Sequence, residues 1–504
     1  MGLFHQQEKM PYHPRQEPRI SGELTADHVR QVFSDCVDFS EREVLIGGDP
    51  EKRVVMFSIV GMARNERVND YVLRPIATSP LLRECHMEQA FEHMITGAVY
   101  NGFVEVRTTM DQVAEDIING SVVFAFPHRG EMLSFAVPTE EKRSISDPSN
   151  EPSIKGAKDS FVESIRTNTS LVRRRLRAPE LKIKEEIVGR QTLTPVDVLY
   201  LDGIANPDLV QEALERVRGI DIDAVLATGN LEEYIIDETD TVFPLVSYTE
   251  RPDRFCGGLV EGRVGIIADG IPLGYLIPGT VGQFLRTGDD RSRNWLAASC
   301  LSALRYLCVL LTLFLPAFYI AVVNFHPEML PARLALSIAE ARLNVPFSTV
   351  FEVLILLLAF EIVQEAGYRL PSPIGQTVSI LGGLVVGTAV VQAKIVSPAV
   401  LVVAATAGIA GYTVPSQELS GALRIGRFLL AVAASLGGLF AMTLAGAALV
   451  YRLSALESFG VPYWAPFAAG TEEERAGHGI IRWPLPWVKL RERSLKTENR
   501  RNQR

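Results

Sequence analysis

The sequence predicts an α/β soluble N-terminal region made of two small α/β subdomains, followed by an all-α polytopic membrane bundle of four or five segments. Two observations predict it. Charges are dense from Met1 to about Arg293 and thin out from Tyr306 to Val450, where apolar runs approach the length that spans a bilayer. In the charged part, β-branched apolar runs alternate with stretches of helical periodicity. The mean hydropathy of +0.14, with 22% charged residues in 504, averages over these unlike halves.

Residues 1–25 are polar and proline-containing and read as a flexible lead-in. They contain no apolar core of the kind a secretory signal needs, which points to a cytoplasmic soluble region. Residues 26–138 form the first subdomain, with strands at Val44–Gly47, Val54–Ala63, Val122–Ala125 and Leu133–Val137 and helical patterns at Tyr71–Ala98 and Met110–Ile118. A charged linker occupies 139–158. The second subdomain, 159–294, opens on a helical pattern that ends before Pro179. A buried strand at Val198–Ile204, a helix with Pro207 in its first turn and a strand at Val264–Asp269 follow.

The membrane region, 295–450, has five candidate segments: Tyr306–Val323, Phe347–Gly367, Ile374–Ala393, Ala399–Pro415 and Phe428–Val450. Between the first two, ARLALSIAEARLNVP reads as an amphipathic interfacial helix. The tail, 451–504, carries ten Lys or Arg against six acids and prefers the cytoplasm. Both ends on one side require an even number of crossings. Five candidates do not give one, and Ala399–Pro415, marginal in length, is the first suspect for a re-entrant segment.

Several function classes lack support. The net charge of −9 and the absence of a broad basic face argue against nucleic-acid binding. Five scattered cysteines without a CxxC pair and eight histidines without ligand spacing encode neither a disulfide framework nor a metal site. No phosphate loop, cofactor motif or nucleophile–base constellation is present, so no enzyme is expected. The run Arg173–Arg175 could hold an anion, but a solvated helix face with ion pairs is the better reading.

Glu352, Glu361 and Glu365 interrupt an apolar segment, and charges there are costly unless they face a partner or water. At 100° per residue, Glu361 and Glu365 lie about 40° apart on one face and Glu352 lies opposite. They are candidate pore or gating residues, with Leu384 and Val386 as apolar gate candidates. The bland alternative for Glu361 and Glu365 is a helix end, with Arg369 as the partner of Glu365. Small residues recur at every fourth position in Gly375, Ser379, Gly383 and Gly387, and in Ala433, Gly437, Ala441 and Ala445. Such stripes permit close helix contact, within one subunit or between copies.

Seven stretches carry a resemblance: SFVESIRTNTSLVRRRLRAPELK, YLDGIANPDLV, FPLVSYTERPDR, LVEGRVGIIADGIP, LPAFYIAVVNFHPEMLP, FEIVQEAGYRLPSPIGQTVSILGGLVVG and AKIVSPAVLVV. Together, from about Asp159 to Ile425, the chain resembles the A subunits of bacterial spore germinant receptors, the GerA family. The resemblance implies a subunit of the spore's inner membrane with its soluble region facing the core, working with a B-type transporter-like subunit that senses nutrient and a C-type lipoprotein. It also implies a homo-oligomer, a pentameric ring, forming a nutrient-gated channel that releases monovalent cations. The loop PSQEL at 415–419 departs from the family pattern in being more acidic. A scaffold that relays the signal without its own pore is the alternative; a secondary transporter needs more spans.

Overall fold

The computed structural model describes residues 20, 22–99, 101–127, 129–139, 151, 156–343, 345–369, 387–467 and 479–502. Its N-terminal part holds two five-stranded sheets. The first orders its strands β1-β2-β4-β5-β3, with β1 Phe39–Leu45, β2 Arg53–Ile59, β3 Val104–Arg107, β4 Ser121–Ala125 and β5 Met132–Ala136. The second orders them β6-β7-β9-β10-β8, with β6 Leu181–Val188, β7 Thr194–Leu201, β8 Ser247–Thr249, β9 Val264–Ala268 and β10 Gly274–Ile277. Every neighbouring pair is antiparallel.

The two sheets repeat one topology. In each, a helix leads into a hairpin, helices follow, a third strand comes next at the far edge, and a helix then precedes the second hairpin, which fills the middle. Local chemistry sets the helix ends. Asn206 accepts a hydrogen bond from the Asp208 N–H at 3.2 Å with Pro207 behind it, and Gly262, at φ 98°, closes Pro252–Glu261 in a left-handed turn.

The units are joined edge to loop. The backbone around Cys36 bridges Ile183 of β6, and the Lys182 ammonium donates to the carbonyls of Val32 and Ser34 at 2.7 and 3.0 Å. Arg173, on the helix Ile165–Arg175, forms a fork on Asp38, with both residues buried. The basic run is therefore not a solvated face. Its first arginine is a buried inter-unit ion pair, and Arg175 pairs with Asp159.

The helical layer follows. Two helices among the described residues are long and apolar enough to cross a membrane, Trp295–Phe325 and Gln417–Ala455; Pro398–Gly411 is shorter. Thr349–Arg369 has 21 residues and carries Glu352, Glu361 and Glu365. Within the stretch expected as an interfacial helix, Ala332–Arg342 is helical, with no buried residue. Most of the expected segment Ile374–Ala393 lies outside the described residues; Gly387–Gln392 is helical.

The segment expected as one span at Phe428–Val450 is not straight. Gly437 (φ −149°, ψ 25°) and Gly438 (φ 60°, ψ −140°) leave helical geometry. Leu313 lies against Gly426, Phe325 against Gly438 and Phe314 against Gly446. Residues 417–436 thus run alongside the 295–325 helix, and 439–455 turn back along it. An L side chain at Gly438 would strain the backbone and meet Phe325.

The expected basic tail is packed rather than free. Ser458 Oγ donates to the Leu245 carbonyl at 2.7 Å, the Val281 N–H donates to the Tyr463 carbonyl at 2.9 Å, and the Glu498 N–H donates to the Ile204 carbonyl at 3.2 Å. Tyr463 and Leu456 join Phe243, Leu245 and Phe284 of the second unit in one core with Leu313, Leu357 and Leu430 of the helices.

Candidate functional site

The charged residues of the apolar layer meet at two places along Thr349–Arg369. Near the middle, Glu361 accepts from Arg424 at 2.9 Å and from Arg427 at 2.5 Å. The two arginines are three residues apart, so they share one helix face and can grip both oxygens of one carboxylate. This ties Thr349–Arg369 to the first half of Gln417–Ala455. The three charges sum to +1, and Arg427 is almost wholly buried while Glu361 and Arg424 are about four-fifths buried. A cavity of about 390 Å³ elsewhere aside, the second void, about 330 Å³, opens here against Phe360, Gln364, Leu401, Tyr412, Arg424 and Arg427.

Glu352, nine residues earlier, is fully buried. Its Oε2 accepts from the Ser397 N–H at 2.7 Å, at the residue capping the start of Pro398–Gly411. A carboxylate there answers unpaired N–H groups and the helix dipole. Among the described residues its Oε1 is buried with no partner, and the same holds for the hydroxyls of Thr349 and Ser397. Thr349 is three residues before Glu352 and shares its face. Several oxygens are therefore held out of water and incompletely bonded, an arrangement that can accept a proton, a water or a cation.

The structure separates the three glutamates. Glu361 is an ion-pair clamp, Glu352 a buried helix-capping acid, and Glu365 is exposed; the side chain of Arg369 lies outside the described residues. Leu384, Val386, Gly375, Ser379 and Gly383 also lie outside them, and Gly387 opens Gly387–Gln392. Gly437 sits at the reversal and Ala441, half-buried, one turn beyond it. Sequence reasoning did not single out Arg424 and Arg427 as site residues; their spacing of three, matched to an acid in another apolar helix, was the available signal.

In the soluble part, the charged runs TERPDR and EGR form salt bridges. Arg251 pairs with Asp253 at 2.8 Å and Asp289 at 3.3 Å, Arg254 with Glu151, and Arg263 with Glu492 at 3.6 Å.

The family model described as Bacillus/Clostridium GerA spore germination protein matches residues 27–494. The chain belongs to this GerA family. Among its relatives, Spore germination protein B1 of Bacillus subtilis (strain 168) is 36% identical over 88% of this chain and 91% of its own. The Uncharacterized membrane protein YfkQ of the same organism is 38% identical over 80% of this chain and 78% of its own. A crystal structure of the N-terminal domain of the A subunit of the Bacillus megaterium spore germinant receptor GerK3 is 28% identical, with a TM-score of 0.40, and covers 51% of this chain and 97% of that one. The GerA resemblance read from the seven motifs thus extends well beyond them, into the first α/β unit and the tail.

Proposed function

We propose that this GerA-family chain is the A subunit of a nutrient germinant receptor and that its helical layer is a gated path for monovalent cations. In this reading it assembles as a homo-oligomer with a B-type transporter-like subunit and a C-type lipoprotein in the inner membrane of the spore. The observation that carries it is Glu352. A fully buried carboxylate with one unpartnered oxygen, set among unpartnered hydroxyls inside an apolar layer, is costly in a bilayer and is suited to meeting a dehydrated cation. Glu361 has a different part: bound to Arg424 and Arg427, it holds one helix packing closed, and a signal from the sensing subunit favours another.

The topology agrees with this placement. Helix 295–325 starts at the second α/β unit and the chain packs against that unit again at residues 456–463, which supports a reading with both soluble parts on one side and an even number of crossings. In this reading the reversal at Gly437–Gly438 is the additional pass that the five apolar runs lacked.

The test is cation efflux from liposomes that hold the purified chain. Glu352→Gln is expected to reduce efflux with assembly intact, and Glu361→Gln to raise the leak without nutrient; Val386→Ala tests the apolar gate. No conductance from any variant, with oligomers present, would favour a scaffold that relays the signal without a pore.

A further inference from the structure

The cavity of about 390 Å³ lies where the second α/β unit, the first turns of helix 295–325 and the returning tail meet; Gly257, Ala298, Ser302 and Leu490 are among its walls. Five arginines line it, Arg254, Arg286, Arg291, Arg482 and Arg491, with four acids. Each acid already has an arginine partner: Asp253 has Arg251, Glu261 has Arg291, Asp290 has Arg305, and Glu492 has Arg263.

Three of the guanidinium groups face only carbonyl oxygens among the described residues. Arg286 donates to the Gly479 carbonyl at 3.0 Å. Arg482 donates to the carbonyls of Arg291, at 2.9 Å, and Arg293. Arg491, itself buried, donates to the carbonyls of Val260 and Asn499, both at 2.8 Å, and of Arg501. A carbonyl satisfies an N–H but does not neutralise the positive charge, and the nearest acids, Glu261 and Glu492 for Arg286 and Asp290 for Arg482, act on it at longer range while paired with other arginines. Burial accordingly lowers the pKa of all three, that of Arg286 to about 10. Gln283 adds a buried amide oxygen with no donor among the described residues.

The surroundings place this cavity near the start of the apolar layer. Ala298 and Ser302 precede the uncharged run that begins at Tyr306. Trp483 lines the cavity and stacks near Trp487, and Trp295, Ile480, Leu485 and Trp487 are exposed around it. Tryptophans beside arginines at the end of an apolar helix match the headgroup level of a bilayer.

We propose that this cavity binds a phosphate oxyanion, supplied by the headgroup of an anionic phospholipid. Planar guanidinium forks fit phosphate oxygens in pairs, the volume suits a headgroup, and the free Gln283 oxygen accepts from a headgroup hydroxyl. The bound phosphate adds negative charge to a cavity whose five arginines outnumber its four acids, and it cross-links tail, α/β unit and first membrane helix. The lipid source rests on the reading that helix 295–325 enters a bilayer.

The experiment uses the full chain in nonionic detergent with equal amounts of phosphatidylglycerol and phosphatidylcholine. Retained lipid is counted by mass spectrometry, and unfolding midpoints are recorded with and without inorganic phosphate. The wild type is expected to retain phosphatidylglycerol selectively and to release it as inorganic phosphate is added. Arg286→Gln is expected to lower that retention by roughly tenfold, the effect of losing one charge-assisted hydrogen bond, while Arg190→Gln, on the far edge of the second unit, leaves it unchanged. Since the wild-type selectivity is read without any variant, a misfolded mutant does not decide the outcome. A midpoint raised by inorganic phosphate without lipid retention overturns the lipid source; no response to either overturns the site. A chain that holds in bilayers yet shows no preference for phosphatidylglycerol fails this inference alone, whereas a chain that does not enter bilayers fails the functional reading.

Discussion

Arg173 shows how a single side chain can be misread from its neighbours. In the sequence it is one of three consecutive arginines, and such a run usually marks a wet surface. Its helix turns it inward, where it meets Asp38 from the preceding unit. Removing one member of a buried pair leaves the other charge stranded, so Arg173→Ala is expected to destabilise the soluble region by about 3–5 kcal/mol. Denaturant unfolding measures the loss, and faster proteolysis between the two units would locate it; an unchanged transition would show the pair to be dispensable. Asp197 offers a second test. Burial pushes its carboxyl up to about 7 from 3.8, against the pull of Arg166 at 3.1 Å and with Glu185 adding to the rise. The folded chain then holds this proton more tightly than the unfolded chain between those values, so its contribution to stability falls as pH rises through that window. Asp197→Asn should flatten this part of the pH profile of thermal unfolding; an identical slope would remove Asp197 as its source. Neither Asp38 nor Asp197 carries a local signal of its partner, because both partnerships join residues distant in sequence.

At the level of elements, strands with long apolar runs were legible: β2, β4, β5, β7 and β9 overlap their expected positions. The short edge strand β8 and the strand β10, written GYLI, lack alternation and were missed, as were β3 and β6, whose charged positions mask their apolar ones. The reversal in Gln417–Ala455 was missed for another reason. One of its two glycines, Gly437, was counted into a small-residue stripe, and a Gly-Gly pair inside an apolar run reads equally well as a close contact or a turn. The φ of +60° and ψ of −140° at Gly438 belong to glycine. Gly438→Ala is therefore expected to cost about 1–3 kcal/mol and to lower the thermal midpoint in detergent, with Gly437→Ala milder because its φ is extended. Equal effects at both positions would argue against a sharp turn at Gly438.

For the molecule as a whole, the repeated order of the two sheets, β1-β2-β4-β5-β3 and β6-β7-β9-β10-β8, could not be read from the sequence, since pairing order is a property of tertiary contacts rather than of local pattern. It makes the soluble region two copies of one design, joined at an edge of the second sheet. The shared side of tail and second unit gives a direct check: in sealed vesicles, single cysteines replacing Arg190 and Arg500 should react with a membrane-impermeant thiol reagent from the same side. Labelling from opposite sides would contradict the return of the chain. The glutamates were legible as exceptional; their division into a clamp and a capped acid was not, because it depends on which helices Arg424 and Ser397 bring to them.

The contact between Glu498 and Ile204 also has a bearing on synthesis. Almost three hundred residues separate its partners, and the later one is made only after the helices between them. The second α/β unit thus waits, with one flank uncovered, while every helix of the apolar layer is made. A chain halted after residue 455 would already hold those helices and would still lack the final clasp on the domain made long before.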